Sequence, residues 1–164
     1  MQLRPFRETD LTNLVKYANN PKIAQNLTDA FPYPYTEDAG KNFIQMALQN
    51  NPANILAITI DDKLVGGMGL HPQADIHRLN AELGYWLAEP FWGQGIITAA
   101  VKEMIDYGFA NLPIERIFAV PFGSNLASQR VLEKTGFILE AQLSKTLIKN
   151  GVMEDELIYA IRKS

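Results

Sequence analysis

Hydrophobic residues recur along this chain with two periods, one typical of helices and one typical of strands. In residues 10–19 they recur every three or four positions, with Thr9 as the expected N-cap. The same spacing predicts helices over 36–49, 96–110 and 125–134, and a short helical turn after Pro21. Strands are predicted over 2–6, 55–60, 64–70, 79–88, 116–120, 137–147 and 156–161. Because helices alternate with strands and hairpins also occur, the pattern predicts a mixed α/β sheet rather than a purely parallel one.

Two short turns join predicted strands as hairpins, and no linker divides the chain. Asp61-Asp62-Lys63 connects one pair of strands, and Asn150-Gly151 connects the last pair. The chain has no internal repeat and no low-complexity tract. We therefore predict a single domain over residues 1–164, a length sufficient for one hydrophobic core.

Composition narrows the class of protein. Of 164 residues, 47% are hydrophobic and 20% are charged, and the net charge is −3, so no nucleic-acid partner is expected. The absence of cysteine excludes disulfides and thiolate nucleophiles. The two histidines, His71 and His77, lack a third ligand in a motif, so no metal site is expected. No signal peptide or apolar span long enough for a bilayer is recognised, so we expect a cytoplasmic protein.

The stretch Trp92-Gly93-Gln94-Gly95 lies between a predicted strand and a predicted helix. Glycine lets the backbone turn sharply and approach a ligand closely. The first amides of the following helix have no partners within the helix and carry a partial positive charge, which favours phosphate oxygens. The turn therefore predicts a phosphate-bearing cofactor. A dinucleotide-binding fold is less consistent because Thr98 occupies the third glycine position, and a P-loop would need Lys-Ser/Thr after the glycine.

The motifs around this turn occur in a recognisable order. They are Ala81–Trp86, the glycine turn, the pair Asn125 and Ser128, Glu133–Phe137, and Asp155–Tyr159. This order resembles the GNAT acyl-CoA N-acyltransferases, and within them the RimJ/RimL group, named for acetylating N-termini of ribosomal proteins. The resemblance implies an α+β fold, in which a mixed, mostly antiparallel twisted sheet is flanked by helices and splayed strands form an acyl-CoA cleft.

Two positions depart from the pattern of that family. Pro90 replaces the Arg or Gln that usually lies three residues before the first glycine, which removes one polar contact. Leu132 replaces the tyrosine that frequently acts as the general acid, seven residues after the asparagine. The second departure directs attention to Ser128 as the group that assists the departing thiolate.

The resemblance implies transfer of an acetyl group from acetyl-CoA, as co-substrate, to a primary amine. A protein N-terminal α-amine is the first expectation for the acceptor, and a small amine such as a polyamine, an amino acid or an aminoglycoside stays open. A non-catalytic acyl-CoA sensor is the alternative from another class, and the presence of both Glu82 and Ser128 argues against it. A homodimer is also considered, and no membrane partner is expected.

Glu82 is the candidate general base. It lies on a predicted strand that is otherwise rich in apolar residues, on the same face as Gly84 and Trp86. The resemblance implies a position beside the reacting centre, where a base would accept a proton from the attacking amine. The alternative is a glutamate at the rim of the sheet, paired with an arginine such as Arg78.

Ser128 and Asn125 are the candidates on the helix that follows. The Ser128 hydroxyl could stabilise charge on the departing thiolate, against the alternative of an ordinary serine in a first helical turn. Asn125 is predicted to cap the helix and, by resemblance, to hydrogen-bond the pantetheine arm. Strands ending near Leu87 and Val120 would splay and free backbone groups for the pantetheine amides. The residues predicted to bind the cofactor are Leu87, Ala88, Gly93, Gln94, Gly95, Ile96, Ile97, Thr98 and Asn125.

Tyr33 and Tyr85 are the candidate acceptor-binding residues. With Phe31 and Tyr35 they would frame a pocket that holds an amine by cation–π contact and excludes water. The alternative is that these aromatic side chains only pack a loop against the core, which we favour for Phe31. Trp92 is expected to wedge the glycine turn rather than to touch the substrate.

Overall fold

Seven strands and five α-helices form the protein in the computed structural model, which describes Met1–Ser164. The strands are β1 (Gln2–Pro5), β2 (Ile55–Ile60), β3 (Lys63–Pro72), β4 (Asn80–Leu87), β5 (Arg116–Ala119), β6 (Ile138–Lys149) and β7 (Val152–Arg162). The helices are α1 (Leu11–Ala18), α2 (Pro21–Ala24), α3 (Glu37–Ala47), α4 (Ile96–Asn111) and α5 (Leu126–Lys134). Short 3-10 turns cover Glu8–Asp10, Asp75–His77 and Glu89–Phe91. Every predicted helix and strand is present, although several begin or end at residues other than those predicted.

The strands form one sheet in the order β1-β2-β3-β4-β5-β7-β6. β4 and β5 are parallel, whereas β1 with β2, β2 with β3, β5 with β7 and β6 with β7 are antiparallel. The prediction of a mixed, mostly antiparallel sheet is confirmed. β4 pairs with β5 only over Asn80–Glu82 and Arg116–Phe118, although β4 continues to Leu87. Pairing therefore ends well before β4 does, as the predicted divergence of these two strands requires.

Capping side chains explain where two helices begin. The Thr36 hydroxyl oxygen accepts a hydrogen bond from the Ala39 amide at 3.2 Å, which begins α3 as predicted. The prediction of Thr9 as the cap of α1 is wrong. Thr9 lies within a 3-10 turn, and α1 follows that turn without a side-chain cap. The chain leading into α1 is stabilised instead by Asp10, whose Oδ2 accepts a hydrogen bond from the Arg7 amide at 2.8 Å.

Both predicted hairpin turns use left-handed backbone. The φ angles are 49° and 60° at Asp61 and Asp62, and 51° and 78° at Asn150 and Gly151, as two-residue hairpin turns of mirror-image type require. The second hairpin is longer than predicted, because β7 begins at Val152 and not at residue 156. The cause is direct pairing on both sides of the turn, where Lys149 lies opposite Val152.

One compact unit comprises Met1–Gly69 and Tyr85–Ala100. Its hydrophobic core joins three helices and three strands through buried side chains, among them Leu14, Ile23, Ile44, Ala57, Leu64 and Trp86. Gly66 allows close packing, because a Cβ there would lie 2.5 Å from the Trp86 carbonyl oxygen. The buried Asp10 carboxylate pairs with Arg4 at 2.8 Å, and Arg4 also contacts Asp62 in the first hairpin at 2.9 Å.

The other compact unit comprises Leu70–Gly84 and Val101–Ser164. Its fully buried side chains include Met104, Ile114, Ile117 and Leu132. Gly108 of α4 packs tightly against Leu70, since a Cβ at this glycine would lie 2.4 Å from the Leu70 Cδ1. None of the helices in the structure combines the length and the apolar composition that crossing a bilayer demands.

β6 is an edge strand that contains an irregularity. Its pairing with β7 shifts register between Leu143 and Leu147, and Lys145 there has a φ of 52°. The Lys145 amide donates to Asp155 Oδ1 at 3.0 Å, and the Gln142 amide group donates to Asp155 Oδ2 at 3.2 Å. These hydrogen bonds lower the pKa of Asp155 below its ordinary value, and the bond from the Lys145 amide has the largest effect. Asp155 therefore fixes the bulged backbone of β6.

Candidate active site

The glycine turn has the backbone conformation that its sequence predicts. Gly93 and Gly95 have φ angles of 74° and 75°, a left-handed conformation that residues with a Cβ rarely adopt. Both glycines are exposed, and a Cβ built on either would meet no atom within 4 Å. Glycine is thus required here for its backbone freedom, and the space in front of the turn is open to a ligand.

A run of amides without acceptors follows the turn. No backbone hydrogen bond is donated by the amides of Gly93 through Thr98, and the first bond of the helix runs from the Ala99 amide to the Gly95 carbonyl at 3.0 Å. α4 is 16 residues long, so its N-terminus carries a developed partial positive charge. Clustered free amides at such an end can bind phosphate oxygens.

Side chains around the turn fix its shape from both ends. The Trp92 indole donates to the Leu87 carbonyl at 2.7 Å, which supports the expectation that this residue braces the turn. The Gln94 side chain folds back and donates to the Pro90 carbonyl at 3.1 Å. It is therefore directed to the start of the turn and does not accept a hydrogen bond from the free amides. Glu89, in the preceding 3-10 turn, forms an ion pair with Lys22 and accepts from Asn20 at 2.8 Å. The Lys22 ammonium is the main cause of the lowered pKa of Glu89.

Leu87 and Ala88 have fewer free backbone groups than the prediction assumed. The Leu87 carbonyl accepts from Trp92, the Ala88 amide donates to Val65 at 2.8 Å, and the Ala88 carbonyl accepts from Phe91 at 3.0 Å. Adjacent amides of a strand point to opposite edges, so the Leu87 amide points away from β3. Among the backbone groups of Leu87 and Ala88, the Leu87 amide is therefore the best placed to bind a ligand.

Glu82 is half-buried on β4 and lies beside His71 of β3. The Gln73 amide donates to the Asn80 carbonyl at 2.8 Å, which aligns the two strands at their connection. Counting two residues from each partner sets His71 opposite Glu82, on one face of the sheet. The alternative pairing of Glu82 with Arg78 is not formed, because the Arg78 guanidinium donates to the Asp75 carbonyl at 3.1 Å.

Gly84 leaves an open area next to this pair. A Cβ at Gly84 would have one atom within 4 Å, the Nε2 of His71 at 3.9 Å. Although the His71 side chain is exposed, desolvation by the protein around its ring lowers its pKa, and the negative charge of Glu82 partly opposes this effect. A carboxylate and an imidazole therefore border a surface that has no side chain of its own.

On α5 the structure supports the capping role of Asn125. Its Oδ1 accepts from the Ser128 amide at 3.1 Å, which confirms the predicted cap, and both residues are half-buried. Leu132, at the position of the family's usual tyrosine, is completely buried and offers no proton. The buried Tyr159 of β7 donates its hydroxyl to Glu133 at 3.0 Å. Desolvation, with Glu133 adding to it, raises the pKa of Tyr159.

The predicted acceptor-binding aromatics differ in exposure. Tyr33 is 55% exposed and Tyr85 is half-buried. Tyr35 is buried in the core of its unit, where Phe31 packs against it with ring centroids 5.1 Å apart. Phe31 and Tyr35 therefore pack within the core, Tyr33 is open to a ligand, and a contact between Tyr85 and the acceptor stays a prediction. No group of three or more His, Asp or Glu side chains is arranged to hold a metal ion.

Sequence reasoning missed the position of His71 beside Glu82 and Gly84. A signal was present, because residues 73–79 form a short connection and counting outward from it aligns His71 with Glu82. It also missed the hydrogen bond between Tyr159 and Glu133, which joins β7 to α5 and has no local sequence signal.

Comparison with known proteins identifies the family. Residues 1–138 match the family model described as the acetyltransferase (GNAT) domain. The chain therefore belongs to the GNAT acetyltransferase domain family, and the predicted resemblance is confirmed.

Individual relatives support the same assignment. An Escherichia coli ribosomal-protein-serine acetyltransferase is 30% identical over 70% of this chain and 64% of its own length. Bacillus subtilis relatives, 37–41% identical, are matched over 56% of their own lengths, so the chain spans little more than half of them.

Two solved structures share the fold. The microcin C7 self-immunity acetyltransferase MccE, solved with acetyl-CoA and AMP, is 28% identical, with a TM-score of 0.82 over 98% of this chain and 91% of that one. RimL, an acetyltransferase of ribosomal L7/L12, is 22% identical, with a TM-score of 0.85 over 98% of this chain and 92% of that one.

Proposed function

We propose that this chain is an acetyl-CoA-dependent N-acetyltransferase whose acceptor is the N-terminal α-amine of a protein. We further propose that residues 1–164 act as one catalytic domain. The observation that carries the proposal is the run of free amides from Gly93 to Thr98 at the start of α4. Membership of the GNAT family and likeness to MccE, which was solved with acetyl-CoA, support the choice of co-substrate.

The diphosphate of coenzyme A is assigned to the amides of the glycine turn, namely Gly93, Gln94, Gly95, Ile96, Ile97 and Thr98. These six donors have no competing acceptors in the chain. The pantetheine arm is assigned to the Leu87 amide and to the Asn125 side chain. Asn125 uses its oxygen for the cap, which leaves its NH2 group as a donor to the arm. Ala88 is assigned a packing role, since its amide and carbonyl have partners.

The proposed chemistry is attack of a neutral amine on the acetyl thioester. Glu82 accepts a proton from the attacking nitrogen, a role that suits a half-buried carboxylate beside the open area over Gly84. Ser128, at the start of α5, stabilises the negative charge that develops on the departing sulfur. A serine hydroxyl is a weak acid, so hydrogen bonding to the thiolate is more favourable than complete proton transfer.

An α-amine is the favoured acceptor for two reasons. Its ordinary pKa is near 8 and that of a lysine side chain is near 10.4, so less free energy is needed to produce the neutral nucleophile. The E. coli relative acts on ribosomal protein, as its name states. The exposed ring of Tyr33 offers a surface for the first residues of such a peptide or for its ammonium group.

Release of free thiol from acetyl-CoA tests the function. Purified protein is incubated with acetyl-CoA and a panel of acceptors: short peptides with free and blocked N-termini, a polyamine, an aminoglycoside and free amino acids. Acceptor-dependent release with free peptides alone supports the proposal. Release with small amines and not with peptides would show that the acceptor is a small amine and not a protein N-terminus. Tight binding of coenzyme A without release from any acceptor would indicate a sensor.

Substitution of Glu82 tests the assigned base. Glu82→Gln keeps the size of the side chain and removes its charge. The expected result is a turnover lower by about 10²-fold or more, with unchanged affinity for coenzyme A by calorimetry. A Glu82→Gln variant with the turnover of the wild type at every pH would remove this carboxylate from the mechanism.

A further inference from the structure

His71 and Glu82 form a cross-strand pair, and the fold does not use the ring nitrogens of His71. The hydrogen bond at Gln73 sets His71 opposite Glu82, and neighbouring positions on adjacent antiparallel strands have Cβ atoms about 5 Å apart. Neither ring nitrogen of His71 takes part in a hydrogen bond or an ion pair, and Glu82 forms no ion pair within 4.0 Å. The side-chain amide of Gln73 donates to the backbone carbonyl of His71 at 3.1 Å and does not engage the ring. A cation can therefore approach both groups without breaking an interaction.

The surface beside this pair is shaped for a small group. Gly84 lies two residues after Glu82, so its missing side chain would point to the same face. His71 Nε2, 3.9 Å from the position of a Cβ at Gly84, is the one atom that borders this space within 4 Å. An amine seated over Gly84 would thus lie near the Nε2 atom of His71 and on the same face of β4 as Glu82.

Desolvation keeps the imidazole of His71 in its basic form. The pKa of His71 is lowered by desolvation, so the ring is neutral near pH 7 and its free nitrogen can accept a proton. Charged or titratable side chains near it are Glu82 on β4 and Asp75, His77 and Arg78 in the connection between β3 and β4. Among them, Glu82 alone shifts the pKa of His71, and it does so upward.

We propose that His71 is a second catalytic residue, which takes the proton that the acceptor carries when it arrives as an ammonium ion, while the Glu82 carboxylate attracts that cation. The inference rests on the proposed function and deepens it. It also gives the two groups separate tasks, because an amine must lose one proton before it attacks and another afterwards. Imidazole suits the first task, since its ordinary pKa near 6.5 is closer to that of an α-amine than a carboxylate's is.

The protons and bonds balance in the following way. The ammonium group loses its first proton to His71, and the nitrogen lone pair becomes free. The nitrogen forms a bond to the acetyl carbonyl carbon, and the bond between that carbon and sulfur breaks. The second proton moves from nitrogen to Glu82, and coenzyme A leaves with the electron pair on sulfur. One proton then reaches the thiolate and the other passes to solvent, so the products are the amide, coenzyme A thiol and one released proton.

The kinetic experiment compares His71→Gln with His77→Gln in the full chain. His77 is the other histidine and is exposed on a 3-10 turn, so it is the matched control. We expect kcat/KM for thiol release to fall about 10²-fold in His71→Gln. The decrease of kcat/KM at low pH that protonation of His71 causes should also disappear from the pH profile. His77→Gln should stay within about twofold of the wild type, and both variants should keep their affinity for coenzyme A. Wild-type kcat/KM and pH profile in His71→Gln would overturn the proposal.

Nuclear magnetic resonance supplies a test that needs no activity. With two histidines in the chain, each imidazole can be titrated separately in labelled protein. In Glu82→Gln the pKa of His71 should fall, because a charge that raises it has been removed, and that of His77 should not change. An unchanged pKa of His71 would overturn the pairing even if the His71→Gln variant failed to fold.

The two proposals fail in different ways. If the wild type releases no thiol with any acceptor, the proposed function is overturned and the role of His71 with it. If the wild type is active and His71→Gln behaves as the wild type does, the role of His71 alone is overturned.

Discussion

Replacement of Gly95 by alanine separates the backbone requirement of the glycine turn from every steric effect. Gly95 has a φ of 75°, and a Cβ there would meet no atom within 4 Å. Gly151, in the hairpin between β6 and β7, has a φ of 78° and the same open surroundings. The two substitutions therefore introduce the same conformational strain at two sites, one of which is assigned to coenzyme A.

The magnitude follows from that strain. An alanine held in the left-handed region costs about 1–2 kcal/mol relative to its preferred conformation. Around Gly95 the amides from Gly93 to Thr98 have no hydrogen bonds, so the free loop can relax to a negative φ and turn its donors away. Binding must then restore the original conformation, which raises the dissociation constant about 5- to 30-fold. At Gly151 the strands pair directly beside the turn, so the strain remains in the folded state and lowers the melting temperature by about 2–8 °C.

Calorimetry with coenzyme A and thermal unfolding measure both effects on the same samples. We expect Gly95→Ala to lose affinity with little change in melting temperature, and Gly151→Ala to lose thermal stability with unchanged affinity. Wild-type affinity in Gly95→Ala would refute the assignment of the diphosphate to these amides. Equal loss of affinity in both variants would show that the effect is a general consequence of strain.

Three further predictions concern other sites. Asn125→Ala and Thr36→Ala each remove a helix cap and should each cost about 1 kcal/mol in the free energy of unfolding, but only Asn125→Ala should weaken coenzyme A binding in calorimetry. Burial raises the pKa of Tyr35 to about 12, so the free energy of unfolding of the wild type should fall by about 2 kcal/mol as the pH rises from 10 to 12, and urea unfolding of Tyr35→Phe should lack this loss. Gly84→Val should raise KM for the acceptor with unchanged affinity for coenzyme A, and an unchanged KM would mean that the acceptor lies elsewhere.

Features set by neighbours in sequence could be predicted from the chain. The caps at Thr36 and Asn125 need only a side-chain oxygen and an amide three residues later, and both hydrogen bonds are formed. The left-handed turn at Asn150-Gly151 is likewise determined by its own two residues. The predicted cap at Thr9 is wrong because a 3-10 turn occupies that position, and helix propensity does not distinguish such a turn from the start of an α-helix.

Features set by distant parts of the chain could not be predicted in the same way. Tyr35 looks like a loop aromatic in the sequence, yet it is 4% exposed, because α1, α3 and β2 close around it in one core. The pair of His71 and Glu82 depends on the register of β3 against β4, which one hydrogen bond at Gln73 reveals. Whether Glu82 is paired depends on where Arg78 points, and its guanidinium is held by the Asp75 carbonyl.

The bulge in β6 has a consequence for behaviour in concentrated solution. A long outer strand offers unpaired amides and carbonyls as a template on which other chains can assemble into fibrils. In this protein the left-handed Lys145, held by Asp155, interrupts the outer strand, and Glu140, Lys145 and Lys149 add charges along it. By holding this bulge, the Asp155 carboxylate keeps the outer strand irregular, and an irregular, charged edge disfavours intermolecular β-association.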